Sequence, residues 1–368
     1  MARIHIPRFV ITGGPCGGKT SVLAYLARYF TDKGFRVFIV PEAATILIGM
    51  GMSPVQKDFQ EQIVKLIIFL ENNAYQSALA AQKVGQKPII ICDRGTLDGR
   101  AYMPTSAFEK LLKKIDISII SLRDERYTGV FHLVTAADGA ESFYTLENNA
   151  ARSENPEQAR ILDIKTQNAW VGHSHLSVVD NTTDFEEKKK RVSDAICHAL
   201  GIPVPLEIEY KYLIDPAFSE KDIPSSIHRV TLDVTQYYLI SAKTEWEERV
   251  RKRAEGKYAL YTHTLKRPTP DKKGRFEIER IVSRDEYVDL LERQDPDYYP
   301  LRKTRTCFLY SKQYFEFDTL LNVRKGLKYC ENEVSDMQTT PVLPDWLPVL
   351  ADVTGDTAHS MKTLARKI

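Results

Sequence analysis

A segment near the N-terminus combines glycines with a lysine and a threonine at a spacing that suits phosphate binding. It reads GGPCGGKT over residues 13–20 and fits the pattern G-x-x-x-x-G-K-[ST]. The glycines allow a tight turn that aims successive backbone N–H groups at a polyphosphate. The lysine would reach the β- and γ-phosphates, and the threonine hydroxyl would bind Mg²⁺ or Mn²⁺. The segment predicts a site for ATP or GTP formed by Gly13, Gly14, Gly17, Gly18, Lys19, Thr20 and Ser21.

The phosphate-binding segment lies between an apolar run and an amphipathic run, as a P-loop requires. Residues 9–11 predict a buried strand, and residues 21–30 predict the helix that follows the loop. A long helix is predicted over residues 55–84. Four more strands are predicted at 36–40, 88–94, 130–134 and 176–179. Five strands alternating with helices indicate an α/β P-loop fold with a doubly wound parallel sheet.

Asp93 and Arg94 end the predicted strand at 88–94, where the strand would open toward the P-loop. In phosphoryl transfer, a carboxylate at that place can hold Mg²⁺ through water or orient the acceptor hydroxyl. An adjacent arginine can neutralise phosphate charge. We therefore expect Lys19 and Asp93 to act in catalysis; the alternative is that Asp93 only caps the next helix.

A polar, charge-rich stretch over residues 138–169 carries Arg152 and Arg160, which lie two helical turns apart on one predicted face. It predicts a lid that closes cations over the phosphates or, equally well, a solvated helix. The basic run at 188–191 is interpreted as a solvent-exposed face rather than a nucleic-acid patch. The chain has no Asn-Lys-x-Asp sequence, by which small GTPases read guanine. This favours a kinase-like P-loop domain and leaves ATP or GTP open.

Further motifs accompany the P-loop, namely VPEAAT at 40–45, DRG at 93–95, HLVTAA at 132–137 and AWVGH at 169–173. Together they resemble the AAA-type NTPase domain related to ribosylnicotinamide kinases, over most of residues 5–200. The closer likeness is to the TRPL translocation defect protein family, in which a second domain follows. The resemblance implies nucleotide binding by the P-loop, metal or catalytic duty for Asp93, and acceptor-side contacts from Glu42 and Arg94.

Charged and apolar residues alternate in the C-terminal half, beginning with Glu207, Glu209 and Lys211. Because side chains at i, i+2 and i+4 share one face of a strand, each such motif predicts a charged strand face. The alternation recurs at 249–253, 264–266, 277–279, 303–305, 316–318 and 331–333. A single strand of this kind would have a solvated outer face. Repeated like charges favour instead the inside of a closed barrel, where cations grip an anion and carboxylates hold divalent metals.

EIEYK at 207–211, RVR at 249–251 and DVTGD at 352–356 are together similar to the CYTH domain, the triphosphate tunnel metalloenzyme fold. The resemblance covers nearly all of residues 206–368 and implies an antiparallel β-barrel with flanking helices. It implies metal binding by Glu207, Glu209, Glu331 and Glu333, and Glu209 is the residue we expect catalysis to need. It also implies that a triphosphate or polyphosphate is bound by Lys211, Arg249, Arg251, Lys266, Lys303 and Arg305. Glu277 and Glu279 match an acidic strand of the family, and the role of these two residues stays open.

Length and composition set the remaining expectations. The 368 residues predict a P-loop domain at 1–203 and a tunnel domain at 204–368, joined by a connector with two prolines. The net charge of +2 provides no overall field for nucleic acid or membranes. Five scattered cysteines and the absence of an apolar run of about 18 residues predict a soluble, cytoplasmic protein with no integral membrane segment. Peripheral membrane contact stays open.

Three functional hypotheses follow from these patterns. The first is an enzyme that hydrolyses a nucleoside triphosphate or transfers its γ-phosphate with Mg²⁺, with a tunnel that binds, or binds and hydrolyses, triphosphate or polyphosphate. The second is a GTP- or ATP-gated adaptor that reads phosphoinositide headgroups in membrane traffic. The third is an RNA triphosphatase, supported only by the basic run at 249–257.

Overall fold

A computed structural model shows two units, each built around its own β-sheet. It describes residues 6–144, 155–202, 206–241, 243, 245–269, 275–334 and 340–367. The first unit extends from residue 4 to residue 196, and the second from residue 197 to residue 368. The predicted domain boundary after residue 203 lies close to this division and stays a prediction. Among the described residues, no helix is both long and apolar enough to cross a membrane.

The first unit contains a five-stranded parallel sheet with the spatial order β2-β3-β1-β4-β5. Its strands are β1 (Arg8–Gly13), β2 (Phe35–Val40), β3 (Lys87–Asp93), β4 (Gly129–Leu133) and β5 (Leu176–Val179). The central strand β1 pairs with β3 on one side and with β4 on the other. This confirms the predicted parallel α/β sheet. It also places the end of β1, where the P-loop starts, between the ends of β3 and β4.

Helices connect the strands of the first unit. They are α1 (Lys19–Asp32), α2 (Ala43–Gly49), α3 (Phe59–Lys83), α4 (Thr105–Lys114), α5 (Ile119–Arg123), α6 (Pro156–Ala169) and α7 (Phe185–Ala199), with 3-10 turns at Asp98–Tyr102 and Glu141–Phe143. The P-loop helix α1 buries Val22, Leu26 and Phe30, which recur at helical spacing and pack on the sheet side of the helix.

Two predictions for this unit need correction. The long helix begins at Phe59 rather than at residue 55, because turns precede it, one of them closed by the Ser53 N–H donating to Gln56 Oε1 at 2.8 Å. The run at 188–191 is not a uniform solvent face, since Lys188 is only 3% exposed. The Lys188 ammonium donates to the Val134 carbonyl at 2.9 Å and to Asn181 Oδ1 at 2.6 Å. These acceptors offset the desolvation of a buried cation.

The second unit contains a nine-stranded sheet with the order β10-β9-β8-β7-β11-β12-β13-β6-β14. Its strands are β6 (Leu206–Ile214), β7 (Arg229–Leu239), β8 (Glu247–Glu255), β9 (Tyr258–Pro268), β10 (Arg275–Val282), β11 (Leu301–Tyr310), β12 (Gln313–Leu320), β13 (Lys328–Val334) and β14 (Val349–Asp352). Helices α8 (Arg284–Leu291) and α9 (Met361–Ala365) and 3-10 turns at Glu220–Asp222 and Thr357–His359 accompany it. The pairings between named strands are antiparallel. Every alternating motif of the sequence lies on one of these strands, as predicted.

The strand register gathers the alternating charges on one face of this sheet. Glu331 lies opposite Lys211, and Arg305 lies opposite Asp318. Residues directly opposite in an antiparallel pair point to the same side. We call this side the charged face and define it by the basic residues Lys211, Arg249, Arg251, Lys266, Lys303 and Arg305 and the acidic residues Asp318 and Glu331.

The predicted closed barrel is only partly realised. Strands β10 and β6 meet over two residue pairs, Arg275 with Glu207 and Phe276 with Leu206. By contrast, β13 pairs with β6 over seven residue pairs. The sheet therefore curls until its edges touch, but in the described residues it is not closed along its length. The edge of β6 near Tyr212 and Ile214 pairs with β14 instead.

Two apolar clusters hold the second sheet in shape. One covers the face opposite the charged face and contains Phe308, Phe315 and Phe317. The other contains Tyr238, Leu301, Tyr329, Val353 and Leu364 and joins the sheet to α9. Tyr329 precedes Glu331 by two residues, so this second cluster lies at one end of the charged face. Apolar side chains therefore pack on the face of the sheet opposite the charged face and at one end of the charged face.

Replacing Phe30 by alanine should destabilise the first unit by about 3–5 kcal/mol, because it leaves a cavity where a fully buried ring packs between α1 and the sheet. Phe69→Ala is the matched control, since that ring lies on α3 and is 63% exposed. Calorimetric and urea unfolding would measure both variants. Equal losses in the two variants would contradict this account of the core.

Candidate functional site

The P-loop turns sharply between β1 and α1, and two glycines make the turn possible. Gly13 has a φ of 147° and Gly18 a φ of 83°. A Cβ at Gly13 would lie 2.2 Å from the carbonyl oxygen of Leu133 on the neighbouring strand. A Cβ at Gly18 would lie 2.5 Å from the Phe185 ring. Neither position accepts a side chain without displacing its surroundings.

Lys19 begins α1 and folds its side chain back over the loop. Its ammonium donates to the carbonyls of Gly13 at 3.2 Å and Gly14 at 3.1 Å. Burial, followed by the nearby Arg94 guanidinium, lowers the pKa of Lys19 to about 8, although Asp93 and Glu42 act in the opposite direction. The loop therefore holds a cation that a bound phosphate would stabilise.

Arg94 lies at the end of β3 in a conformation that turns its side chain toward the P-loop. Its φ of 68° is unusual for a residue other than glycine. The guanidinium donates to Glu42 Oε1 at 2.6 Å, to Asp98 Oδ2 at 3.2 Å and to the Gly13 carbonyl at 3.3 Å. Lys19 and Arg94 therefore share the Gly13 carbonyl as an acceptor. The structure brings together the residues that the sequence assigns to catalysis and to acceptor contacts.

Asp98 fixes the position of Arg94. It also accepts from Thr12 Oγ1 at 2.7 Å and from the Trp170 indole N–H at 2.7 Å. Asp98 is almost fully buried, so these contacts replace its hydration.

Asp93 is the least satisfied carboxylate of this region. Its Oδ1 atom is buried without a hydrogen-bond partner. Burial, followed by the neighbouring Glu42 charge, raises the pKa of Asp93 to about 6. Glu42 itself accepts from Thr45 Oγ1 at 2.7 Å in addition to Arg94, and the Arg94 charge keeps the pKa of Glu42 low despite its burial.

Asp163 of α6 anchors the other end of the P-loop. Its Oδ1 atom accepts from the Gly14 N–H at 2.8 Å and the Thr135 N–H at 3.0 Å, and it lies 3.0 Å from His132 Nε2. Gln167 donates to its Oδ2 atom at 2.8 Å. Although burial opposes ionisation, the contacts with His132 and the backbone keep the pKa of Asp163 below its usual value. The Gly14 N–H, which the sequence assigns to phosphate, is thus used by Asp163.

The remaining predicted residues of this unit have different surroundings. Thr20 and Ser21 are exposed in the first turn of α1, where a ligand can reach them. Arg160 on α6 donates to the Ala137 carbonyl at 2.7 Å, which directs it toward the loop after β4. Arg152 lies outside the described residues, so the predicted pairing of the two arginines stays a prediction.

The charged face of the second unit is held by ion pairs between neighbouring strands. Lys211 pairs with Glu331 at 2.9 Å, and Arg305 reaches both Glu331 at 2.7 Å and Asp318 at 2.6 Å. Lys303 also pairs with Asp318. The surrounding lysines and arginine hold the pKa of Glu331 well below its usual value even though burial opposes this. Burial and the Arg305 charge lower the pKa of Lys303 to about 8.

Two basic residues of β8 and β9 pair with a carboxylate of β10. Lys266 pairs with Glu277 at 2.9 Å and Arg249 pairs with the same carboxylate at 3.5 Å. Arg251 makes no ion pair within the described residues, and its Nε atom is buried without a partner. Burial and the Arg249 charge lower the pKa of Arg251. The structure thus places all six predicted phosphate-binding residues on one face.

The four predicted metal-binding glutamates are divided between β6 and β13. Glu209 and Glu333 lie directly opposite each other. Glu331, however, is engaged by Lys211 and Arg305, and the side chain of Glu207 lies outside the described part of the structure. Among the described residues, no group of three or more His, Cys, Asp or Glu side chains could hold a metal ion. The metal assignments stay predictions.

The sequence analysis gave several residues of these sites no individual role. It placed Glu316 and Asp318 in an alternating charged motif but did not identify them as partners of Arg305. Asp98 and Asp163 carry no comparable signal, because each meets the P-loop region through long-range contacts. The Asp163 contact with Gly14 spans 149 residues.

The geometry defines a P-loop domain followed by an antiparallel domain with a buried charged face. Comparison with family models agrees: residues 8–188 match the AAA domain model, and residues 205–367 match the CYTH domain model. The chain therefore carries an AAA domain of the P-loop type followed by a CYTH domain. The finer resemblance to the TRPL translocation defect family stays a prediction, since these models describe the two domains separately.

Similar solved structures include the inorganic triphosphatase NE1496, which is 23% identical over 44% of this chain and 95% of its own, with a TM-score of 0.31. The PH1819 protein of Pyrococcus horikoshii is 21% identical over 38% of this chain and 80% of its own, with a TM-score of 0.28. The search of curated proteins found no match to the chain.

Replacing Glu331 by glutamine should lower the stability of the second unit by about 3 kcal/mol, because it leaves the buried Lys211 and Arg305 without one shared carboxylate. Glu292→Gln is the matched control, since this residue is exposed directly after α8 and lies outside the charged face. Thermal unfolding with and without tripolyphosphate would test this. The ligand should restore much of the loss in the Glu331 variant, and a loss that tripolyphosphate does not reduce would contradict the assignment.

Proposed function

We propose that the AAA domain binds ATP or GTP with Mg²⁺ and hydrolyses it or transfers its γ-phosphate, and that the CYTH domain binds triphosphate or polyphosphate. One observation carries the proposal for the first domain. Lys19 of the P-loop and Arg94 of β3 both contact the Gly13 carbonyl, with Asp93 beside them. Two cations and a carboxylate meet where the terminal phosphate of a P-loop ligand would lie.

The chemistry expected of these groups is electrostatic. During phosphoryl transfer, negative charge spreads over the oxygens of the transferring group, and fixed cations nearby lower the barrier. Lys19 and Arg94 are held in place before the substrate arrives, Lys19 by loop carbonyls and Arg94 by Glu42 and Asp98. Little reorganisation is then needed during the reaction. Asp93 would orient a water molecule or an acceptor hydroxyl.

The residues present also fit a divalent cation beside the phosphates. Thr20 presents an exposed hydroxyl in the first turn of α1, and the Oδ1 atom of Asp93 is buried without a hydrogen-bond partner. Hydroxyl and carboxylate oxygens are the ligands that Mg²⁺ prefers. When bound, the ion would neutralise charge on the β- and γ-phosphates.

The CYTH domain is proposed to bind its anion on the charged face. Arg251 contributes a buried guanidinium that lacks an ion pair in the described residues, and Arg249 and Lys266 both pair with Glu277. A bound triphosphate would give the Arg251 guanidinium an anionic partner. Its hydrolysis there would further require metal binding by the predicted glutamates, with Glu209 as the residue we expect the reaction to need.

A second candidate is that the CYTH domain binds a phosphorylated headgroup without cleaving it, as in a nucleotide-gated, phosphoinositide-reading adaptor. The favouring observation is that Glu331 is paired with Lys211 and Arg305 and that the described residues contain no group of three or more His, Cys, Asp or Glu side chains able to hold a metal ion. Such a face binds phosphate through the same cations.

Phosphate release from ATP, GTP and tripolyphosphate with Mg²⁺ or Mn²⁺ separates these functions. We expect Lys19→Ala to reduce nucleotide turnover by about 100-fold or more, since it removes a cation from the transferring phosphate. Glu209→Gln should abolish phosphate release from tripolyphosphate and leave nucleotide turnover unchanged. If no ligand is turned over while Lys19→Ala still weakens nucleotide binding, the enzyme proposal fails and the adaptor is favoured.

Nucleotide binding should also take up protons at alkaline pH. The pKa of Lys19 is about 8 in the empty loop, and the negative charge of a bound triphosphate would raise it. Near pH 8.5, binding should then be accompanied by uptake of part of one proton by Lys19, whereas near pH 6 this lysine is already charged and should contribute no uptake. Titration calorimetry in buffers of different ionisation enthalpy measures this. Lys19→Arg is the control, since an arginine stays charged; identical uptake in that variant would contradict the assignment to Lys19.

A further inference from the structure

Three groups that can act on a terminal phosphate, those of Glu42, Asp93 and Arg94, lie on one side of the P-loop. Asp93 and Arg94 end β3, and Glu42 follows β2, so they occupy the β2–β3 side of the central strand. If the γ-phosphate lies there, the rest of the nucleotide must leave the loop on the opposite side. That side is formed by the loops after β4 and β5.

Hydrogen bonds join these two loops to the P-loop and to each other. Thr135 Oγ1 donates to the Pro15 carbonyl at 2.5 Å, and the Ala136 N–H donates to the Cys16 carbonyl at 3.3 Å. Asn181, in the loop after β5, donates to the carbonyls of Thr135 at 2.8 Å and Asp138 at 2.7 Å. The surface on the β4–β5 side is therefore preformed in the absence of a nucleotide.

Phe185 presents an aromatic ring on this prepared surface. It is the first residue of α7, and its ring edge lies against Gly18 at the base of the P-loop helix. The Lys189 ammonium lies 5.5 Å from the centre of the Phe185 ring and pairs with Glu186 at 2.7 Å. Even so, Phe185 is 40% exposed. The ring is thus fixed in place beside the phosphate site while much of its area stays open to a ligand.

The loop that leads into Phe185 is fixed as well. Asp184 accepts from the Glu187 N–H at 2.8 Å, which caps the start of α7. Asp180 accepts from Thr182 Oγ1 at 2.6 Å and from Arg191 at 2.8 Å. Ordering this segment therefore adds no large entropic penalty when a ligand binds.

We infer that Phe185 is the stacking platform for the base of the nucleotide bound at the P-loop. This inference rests on the proposed function of the AAA domain and names the part of the nucleotide that its β4–β5 side would bind. A flat π-face attracts any base, so stacking on Phe185 binds adenine and guanine alike. The platform supplies affinity for the nucleoside, and the choice between ATP and GTP depends on other contacts.

Equilibrium binding of ATP, GTP and inorganic tripolyphosphate, each with Mg²⁺, tests the inference in the full chain. The variants are Phe185→Ala, Phe185→Tyr and the control Phe69→Ala. Each substitution is also combined with Lys19→Ala in one chain, so that the ligand bound by the charged face can be measured and subtracted. Thermal unfolding of each variant checks that it is folded.

We expect Phe185→Ala to weaken P-loop binding of both nucleotides by about tenfold or more. The affinity for tripolyphosphate, which has no base, should change by less than about twofold in the same variant, because tripolyphosphate binding at this site depends on the P-loop alone. Phe185→Tyr should restore nucleotide binding, and Phe69→Ala should match the wild type.

Two results would overturn the inference. An equal loss of tripolyphosphate and nucleotide binding would mean that Phe185 only supports the loop. Unchanged nucleotide binding in Phe185→Ala would place the base elsewhere. A different result, in which Lys19→Ala binds nucleotides as the wild type does, would remove the proposed function of the P-loop and this inference with it.

Discussion

Pairing of buried cations with carboxylates on adjacent strands is the interaction on which the second unit depends. Lys303 and Arg305 share Asp318, while Lys211 and Arg305 share Glu331. Without these carboxylates the cations would carry a desolvation penalty of several kcal/mol each. The pairing allows a protein to keep a phosphate-binding surface inside a folded sheet. It also means that an arriving anion competes with side chains of the protein itself, so affinity is set by a difference between two sets of charge contacts.

The first unit meets the same constraint in another way. Among the described residues, Lys19 directly contacts only carbonyl acceptors, whereas Arg94 contacts two carboxylates, Glu42 and Asp98. Burial and the Arg94 charge lower the pKa of Lys19, whereas Tyr102, Asp98 and Glu42 raise the pKa of Arg94 despite its burial. A bound anion would therefore stabilise the charge of Lys19 more than that of Arg94, which already pairs with two carboxylates. Both proposed sites would bind phosphate, and the residues described for each belong to one unit.

Local patterns in the sequence predicted much of this arrangement. The P-loop, the ends of β2 and β3, and the alternating charges each depend on residues close together in the chain, and all were placed on the expected elements. The contacts of Asp163 with Gly14 and of Asp98 with Trp170 could not be predicted, since they join distant segments through buried side chains. Closure of the sheet depends on which edges pair, and alternation alone does not specify that. The burial of Lys188 was missed because a basic run on a helix ordinarily faces solvent.

The bond from the Gly14 N–H to Asp163 has a consequence for the synthesis of the chain. The P-loop segment leaves the ribosome before the carboxylate that holds it, which is encoded 149 residues later. The central strand β1 likewise needs both β3 and β4 before its two edges are paired. Long-range contacts of this kind form late, because a large loop must close first. The nascent chain therefore lacks this contact of the P-loop until α6 has emerged.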